Sequence, residues 1–177
     1  NNMNKKILIT GGPGTGKTEL IKGLEHRGYT CEHEIVRKIT EEGQKKGIKQ
    51  FFLDNPIKFS ERLMDLRLEQ YYKIQTTKYT FFDRGVHEII AYLNFLKTDY
   101  NAEFFNKTRK IVYDYVFILP PWREIYVNDK ARYETYNQSI KIYEEILAIY
   151  KLLDVNLIEL EKNSVNRRID SIINTIK

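Results

Sequence analysis

The stretch KKILITGGPGTGKT, Lys5 to Thr18, decides the fold. Its first half is a short apolar run that ends in a glycine cluster, the pattern of a buried strand. Its second half, Gly11 to Thr18, matches G-x-x-x-x-G-K-[ST] at every fixed position. The match lies between a strand and a helical segment, Glu19 to Arg27, closed by Gly28; that is the context the motif requires. The glycines let the backbone turn so that successive N–H groups face phosphate oxygens, and the following helix adds positive potential. Lys17 is placed to bridge β- and γ-phosphates, and the Thr18 hydroxyl to hold Mg2+. A nucleoside triphosphate site follows, built from Gly11, Gly12, Pro13, Gly14, Thr15, Gly16, Lys17, Thr18 and Glu19. The reaction stays open, because switches, motors and kinases share this loop.

Outward from the loop, apolar runs alternate with helical patterns. YTCEHE, KYTFFD, YDYVFILP and NLIEL read as four further strands. Between them lie helical segments at Ile35–Lys46, from Pro56 to about Thr77, within VHEIIAYLNFL and AEFFNKTRKI, after the fourth strand, and at Val165–Ile176. Asn55-Pro56 reads as a cap followed by proline at the first helical position, and Phe59, Leu63, Leu66 and Leu68 point that helix toward packing. After the fourth strand, Tyr136, Ile140, Tyr143, Leu147 and Tyr150 form an apolar stripe. Alternating strands and helices predict an α/β fold with a parallel sheet covered on both faces, and ligands at the carboxyl ends of its strands.

The 177 residues suit a single domain over residues 3–177. Lys and Arg number 29 against 24 Asp and Glu, a formal charge of +5. That excess suits an anionic small molecule; no basic block points to nucleic acid. Cys31 is the only cysteine, so no internal disulfide can form. With no apolar run long enough to span a membrane and no signal-like apolar core, the expected location is cytoplasmic.

Two carboxylates stand at strand ends. Asp83, in TFFDRG, is placed to reach the Mg2+ shell through water, or else simply caps the next helix. Water-activating motors carry a Glu after this Asp; here Arg84 follows, which suits holding a phosphate or a substrate oxygen. Glu34, after the second strand, is placed to accept a proton from an attacking hydroxyl. Arg37 lies one helical turn on, where it can bind an anionic substrate or merely pair with Glu34 on the surface. Glu32 is the competing base, turned the other way by strand alternation. Glu88 is a candidate to hold metal-bound water or substrate, and His87 lacks a second ligand at zinc spacing.

Together ITGGPGTGKTELIKGL, EHEIVRKI, FFDRGVHEIIAYL and FILPPWREIYVNDKARYETY resemble the small bacterial AAA-domain family of P-loop NTPases, the kinase-like group numbered 28. The resemblance spans nearly the whole chain and extends to nucleoside and nicotinamide ribosyl kinases. It implies ATP and the three-layer P-loop fold with sheet order 2-3-1-4-5. It implies Gly16, Lys17 and Thr18 for phosphate and Mg2+, Asp83 for Mg2+, Arg84 for the transferring phosphoryl or the acceptor, and Glu34 as base. The family pattern has Pro-Asp after the DRG turn, where His87-Glu88 stand here.

Pro120 and Pro121 end the fourth strand. The expected consequence is a lid at about 120–135 carrying Arg123 and Arg132 over the γ-phosphate, the other reading being a surface loop around Trp122. Lys162 and Val165 are expected to flank the base, unless ELEKNSV is an ordinary turn. The acceptor pocket is expected between Glu34, Arg37, Glu88 and the helix bearing Arg62, Arg67 and Gln70. The leading expectation is a phosphotransferase moving the ATP γ-phosphoryl to a small metabolite's hydroxyl or phosphate. The alternative is an ATPase or nucleotide-dependent switch with a protein partner.

Overall fold

The computed structural model describes residues 3–127 and 134–177. In chain order it contains β1 (Lys5–Gly11), α1 (Lys17–His26), β2 (Thr30–Glu32), α2 (Val36–Lys45), α3 (Phe51–Asp54), α4 (Pro56–Tyr72), β3 (Tyr79–Asp83), α5 (His87–Phe95), α6 (Ala102–Arg109), β4 (Tyr115–Leu119), α7 (Tyr136–Leu152), β5 (Leu157–Glu159) and α8 (Val165–Ile176). A short 3-10 turn covers Arg123–Ile125.

The strands pair in parallel in the order β2-β3-β1-β4-β5, as the resemblance implied. β1 is central: Leu8 stands between Phe82 and Val116. Successive strand residues face opposite sides of a sheet, and this divides the core. Ile7, Ile9, Phe81 and Phe117 pack under Leu20 and Leu24 of α1 and Ile169 and Ile172 of α8. Leu8, Phe82, Val116 and Ile118 pack on the other face with Met64, Ile90, Ile142 and Ile146 from α4, α5 and α7. Near-continuous apolar runs such as ILI and VFIL are what a strand buried on both faces requires.

Several boundaries and one face differ from the sequence expectation. α1 begins at Lys17, directly off Gly16, whose φ of 93° suits the left-handed region. α4 stops at Tyr72, because Lys73 is extended (φ −58°, ψ 132°); its start is as expected, with Asn55 accepting from the Lys58 N–H. α3 was not anticipated: it is four residues long and has no side-chain cap. α7 buries Ser139, Ile142, Ile146, Ile149 and Tyr150, so of the expected stripe only Tyr150 is fully buried. No helix among the described residues is long and apolar enough to cross a membrane.

Candidate active site

The loop after β1 turns back on itself. The Thr15 hydroxyl and the Lys17 ammonium both donate to the Gly12 carbonyl, at 3.0 and 3.2 Å. Gly14 and Gly16 take positive φ, 72° and 93°, which a side chain would disfavour. Burial lowers the Lys17 pKa to about 8; Arg84 pushes the same way, against Asp83, Glu88 and Glu34.

This loop forms the floor of a cavity of about 1120 Å³ at the carboxyl ends of the strands. On one side its wall is Trp122, Ile125, Asn163, Ser164, Val165 and Arg168. On the other it is α2, α3 and α4, with Arg37, Thr40, Phe52, Phe59, Ser60 and Arg67, closed by Arg84 and Tyr92. Glu34 also lines the cavity, close enough to Lys17 and Arg84 to act on the charge of both.

Glu34 accepts from the Val36 N–H through Oε1, with Arg67 Nη2 at 3.9 Å from the same oxygen. Glu32 is turned elsewhere, held by Gln75 at 2.9 Å and Lys73 at 3.2 Å. Arg67 is buried and donates through Nη1 to the Gly85 carbonyl at 2.7 Å, which ties α4 to the turn after β3.

Arg84, in that turn, has φ 71°, a conformation disfavoured outside glycine that clusters at functional sites. Its N–H donates to Ile9 O at 3.0 Å and its Nη1 to the Tyr92 hydroxyl at 3.3 Å. Burial opposes its charge, but Tyr92, Glu34, Glu88 and Asp83 outweigh burial and raise its pKa. Asp83 is 9 % exposed, and its Oδ1 is buried without a hydrogen-bond partner. Among the described residues no cluster of three or more His, Cys, Asp or Glu could cage a metal. An orphaned carboxylate oxygen beside a phosphate loop fits Mg2+, which keeps waters and takes phosphate oxygens instead of an all-protein shell.

Other expected residues stand elsewhere. Glu88 is fully buried behind the turn, where Oε1 accepts from the Gly85 N–H at 3.0 Å; it caps the turn and does not line the cavity. Arg62 faces outward and pairs with Glu42 at 3.4 Å. Gln70 donates to the His33 carbonyl at 2.7 Å. Arg123 stacks on Tyr136, 4.3 Å from the ring centre, because the 3-10 turn presents Trp122 and Ile125 to the cavity instead. Arg132 lies outside the described residues. Lys162 is exposed and off the cavity wall, whereas Val165 is on it. His87 is buried, its pKa lowered to about 4 mainly by burial, with Nε2 donating to the Thr108 carbonyl at 2.9 Å. Sequence reasoning missed Tyr92 and Arg168. The available signal for Arg168 was an arginine at helical spacing within the apolar stripe Ile169, Ile172, Ile173 and Ile176.

Residues 6–168 match the model of a family described as AAA domain. The chain belongs to that family. No curated protein gives a significant match. Among solved structures, the AAA-domain chain is similar to deoxyadenosine kinase from M. mycoides with products dCMP and a flexible dCDP bound: 17% identity, TM-score 0.70, covering 97% of this chain and 98% of that one. NadR protein in complex with NR gives 19% identity and TM-score 0.67, covering 98% of this chain but 51% of that one. Thymidylate kinase from Ehrlichia chaffeensis gives 14% and 0.65, covering 98% and 99%. At these identities the likeness is one of fold.

Proposed function

We propose that this AAA-domain chain is a phosphotransferase, acting as one domain over residues 3–177 in the cytoplasm and moving the γ-phosphoryl of ATP to a hydroxyl or phosphate of a small nucleoside-, riboside- or nucleotide-like metabolite. The observation that carries this reading is the cavity itself. It joins the phosphate loop to an aromatic-lined pocket, and Glu34 lines it within electrostatic reach of Lys17 and Arg84. Of the three similar structures, one is a deoxyadenosine kinase with dCMP and dCDP bound, one a thymidylate kinase, and one NadR in complex with NR. Arg84 after Asp83 supplies a cation where a water-activating ATPase carries an acid.

In the proposed reaction, loop N–H groups and Lys17 hold the β- and γ-phosphates. Thr18 and Asp83 would hold Mg2+, which would supply positive charge to the phosphates. Phe52 and Tyr92 offer aromatic surface to a flat ring, backed by the buried Phe59; Phe52 meets both partners edge-on, at 5.4 and 5.9 Å between ring centres. Glu34 accepts the proton of the attacking hydroxyl as the new O–P bond forms and the bond to ADP breaks. Arg84, kept charged by surrounding acids, faces the charge that builds between donor and acceptor.

A screen of nucleosides, ribosides and nucleoside monophosphates, read as ADP release, tests this. At least one acceptor should stimulate ADP formation, and Glu34→Gln should cut that rate by about 10²- to 10⁴-fold while leaving ATP affinity within about twofold. ATP binding with no stimulation by any acceptor would favour an ATPase or a switch instead.

A further inference from the structure

Arg168 is 3 % exposed although it lies in the first turn of α8. Its guanidinium meets three separate segments. Nε donates to the Glu161 carbonyl at 2.8 Å, in the loop after β5. Nη1 donates to the Thr15 carbonyl at 2.8 Å, inside the phosphate loop. The same nitrogen lies 3.1 Å from where a Cβ on Gly16 would stand, so only glycine fits there without a shift. The indole of Trp122 lies 5.0 Å from the guanidinium carbon, a cation–π distance. Nη2 is buried and has no partner.

Two consequences follow from elementary geometry. In a trans peptide the C=O and the following N–H point in opposite directions. Holding the Thr15 carbonyl outward against Arg168 therefore aims the Gly16 N–H inward, toward the phosphate position. Second, burial lowers the Arg168 pKa, and among the described residues no carboxylate pairs with it. A buried cation of this kind is left to an incoming anion, and the phosphates of a nucleotide supply one.

We propose that Arg168 is a positioning residue outside the phosphate-loop motif, which fixes the Thr15–Gly16 peptide for nucleotide binding and transmits occupancy of the loop to Trp122. The proposal rests on the nucleotide-binding part of the proposed function and needs no acceptor. Trp122 is the only tryptophan in the chain, so its emission reports the contact directly.

The experiment is a titration of the protein with ATP and Mg2+, following Trp122 emission, in wild type, Arg168→Lys and Arg168→Met. Wild-type emission should change on binding. Arg168→Met should weaken ATP binding by about tenfold or more and abolish most of the emission change, since a donor to a backbone carbonyl is worth about a factor of ten. Arg168→Lys keeps a cation at the indole and should recover the emission response with only part of the affinity. In the nucleotide-free protein, acrylamide should quench Trp122 more readily in Arg168→Met than in wild type, an effect independent of any catalysis. If Arg168→Met fails to fold, Arg168→Lys carries the test alone. Variants that match wild type in ATP affinity, emission response and quenching overturn the proposal. Absence of acceptor-stimulated ADP release, with these binding effects intact, would count against the kinase reading only.

Discussion

Lys17 is 7 % exposed, and its ammonium donates to a carbonyl of its own loop. Burial and Arg84 hold its pKa at about 8, below the ordinary lysine value of 10.5. Phosphates favour the charged form, so the bound pKa lies above the free one. Below about pH 8 the group is charged in both states and ATP affinity should not depend on it. Above pH 8 the free protein loses the proton and must regain it on binding, so the dissociation constant should rise by up to about tenfold per pH unit. Calorimetry at pH 9 in two buffers of different ionisation enthalpy should show uptake of close to one proton, absent in Lys17→Met; no uptake in wild type would mean that Lys17 stays charged in the free loop. Arg84 supports a separate prediction. At φ 71° a β-carbon is disfavoured by about 1–2 kcal/mol and glycine is not. Arg84→Gly should therefore melt a few degrees above Arg84→Ala, although both remove the guanidinium and should lose phosphoryl transfer alike. An Ala variant as stable as the Gly variant would show that the turn relaxes without strain.

At the scale of elements, the contact between α1 and α8 sets where the cavity wall formed by Val165 and Arg168 stands. A β-carbon on Gly23 would lie 2.5 Å from Ile169 Cδ1 and 3.1 Å from Val165 Cγ1. Gly23→Leu should push α8 outward and destabilise the protein by about 1–3 kcal/mol in a thermal melt. It should also weaken ATP binding, although Gly23 is no part of the cavity, because α8 carries Val165 and Arg168. A loss of stability with unchanged affinity would mean that α8 can shift without disturbing the loop. Elements of this kind were legible in the sequence to different degrees. The strands could be read because burial on both faces demands unbroken apolar runs, and the phosphate loop because its backbone geometry demands glycines at fixed spacing. The face of α7 could not: Ile140, Ile142, Tyr143, Ile146, Leu147, Ile149 and Tyr150 surround much of the helix, so more than one stripe satisfies the helical period. Packing against the sheet and α5 chose Ile142, Ile146 and Ile149. Arg123 and Glu88 misled for a related reason. Arg123 lies in a 3-10 turn and Glu88 in the first turn of α5, and the local rotation, unmarked by periodicity, sends one side chain onto Tyr136 and the other to the Gly85 N–H.

For the molecule as a whole, the decisive quantity is the size and shape of the cleft. Pockets for one small ligand span about 300–1,000 Å³, and this cavity, at about 1120 Å³, runs without interruption from Asn163–Val165 across the phosphate loop to Phe52, Phe59 and Tyr92. Its two ends differ in chemistry: backbone N–H groups, Lys17 and Arg168 on the β5 side, aromatic rings and Glu34 on the α4 side. A cleft that serves only ATP has no use for the second end, whereas phosphoryl transfer needs both ends filled at once, with the reacting oxygens in line. A nucleoside joined to adenosine through a chain of four to six phosphates should therefore bind more tightly than ATP, by about 10² or more, because engaging one end presents the other at high effective concentration. Competition against a fluorescent ATP analogue measures this. Replacing Phe52 with Ala should remove most of that advantage while leaving ATP itself nearly unaffected, since Phe52 lines only the α4 side. A joined ligand that binds no more tightly than ATP would mean that the two ends are not occupied together, and the chain would then be better described as a nucleotide-dependent switch or an ATPase.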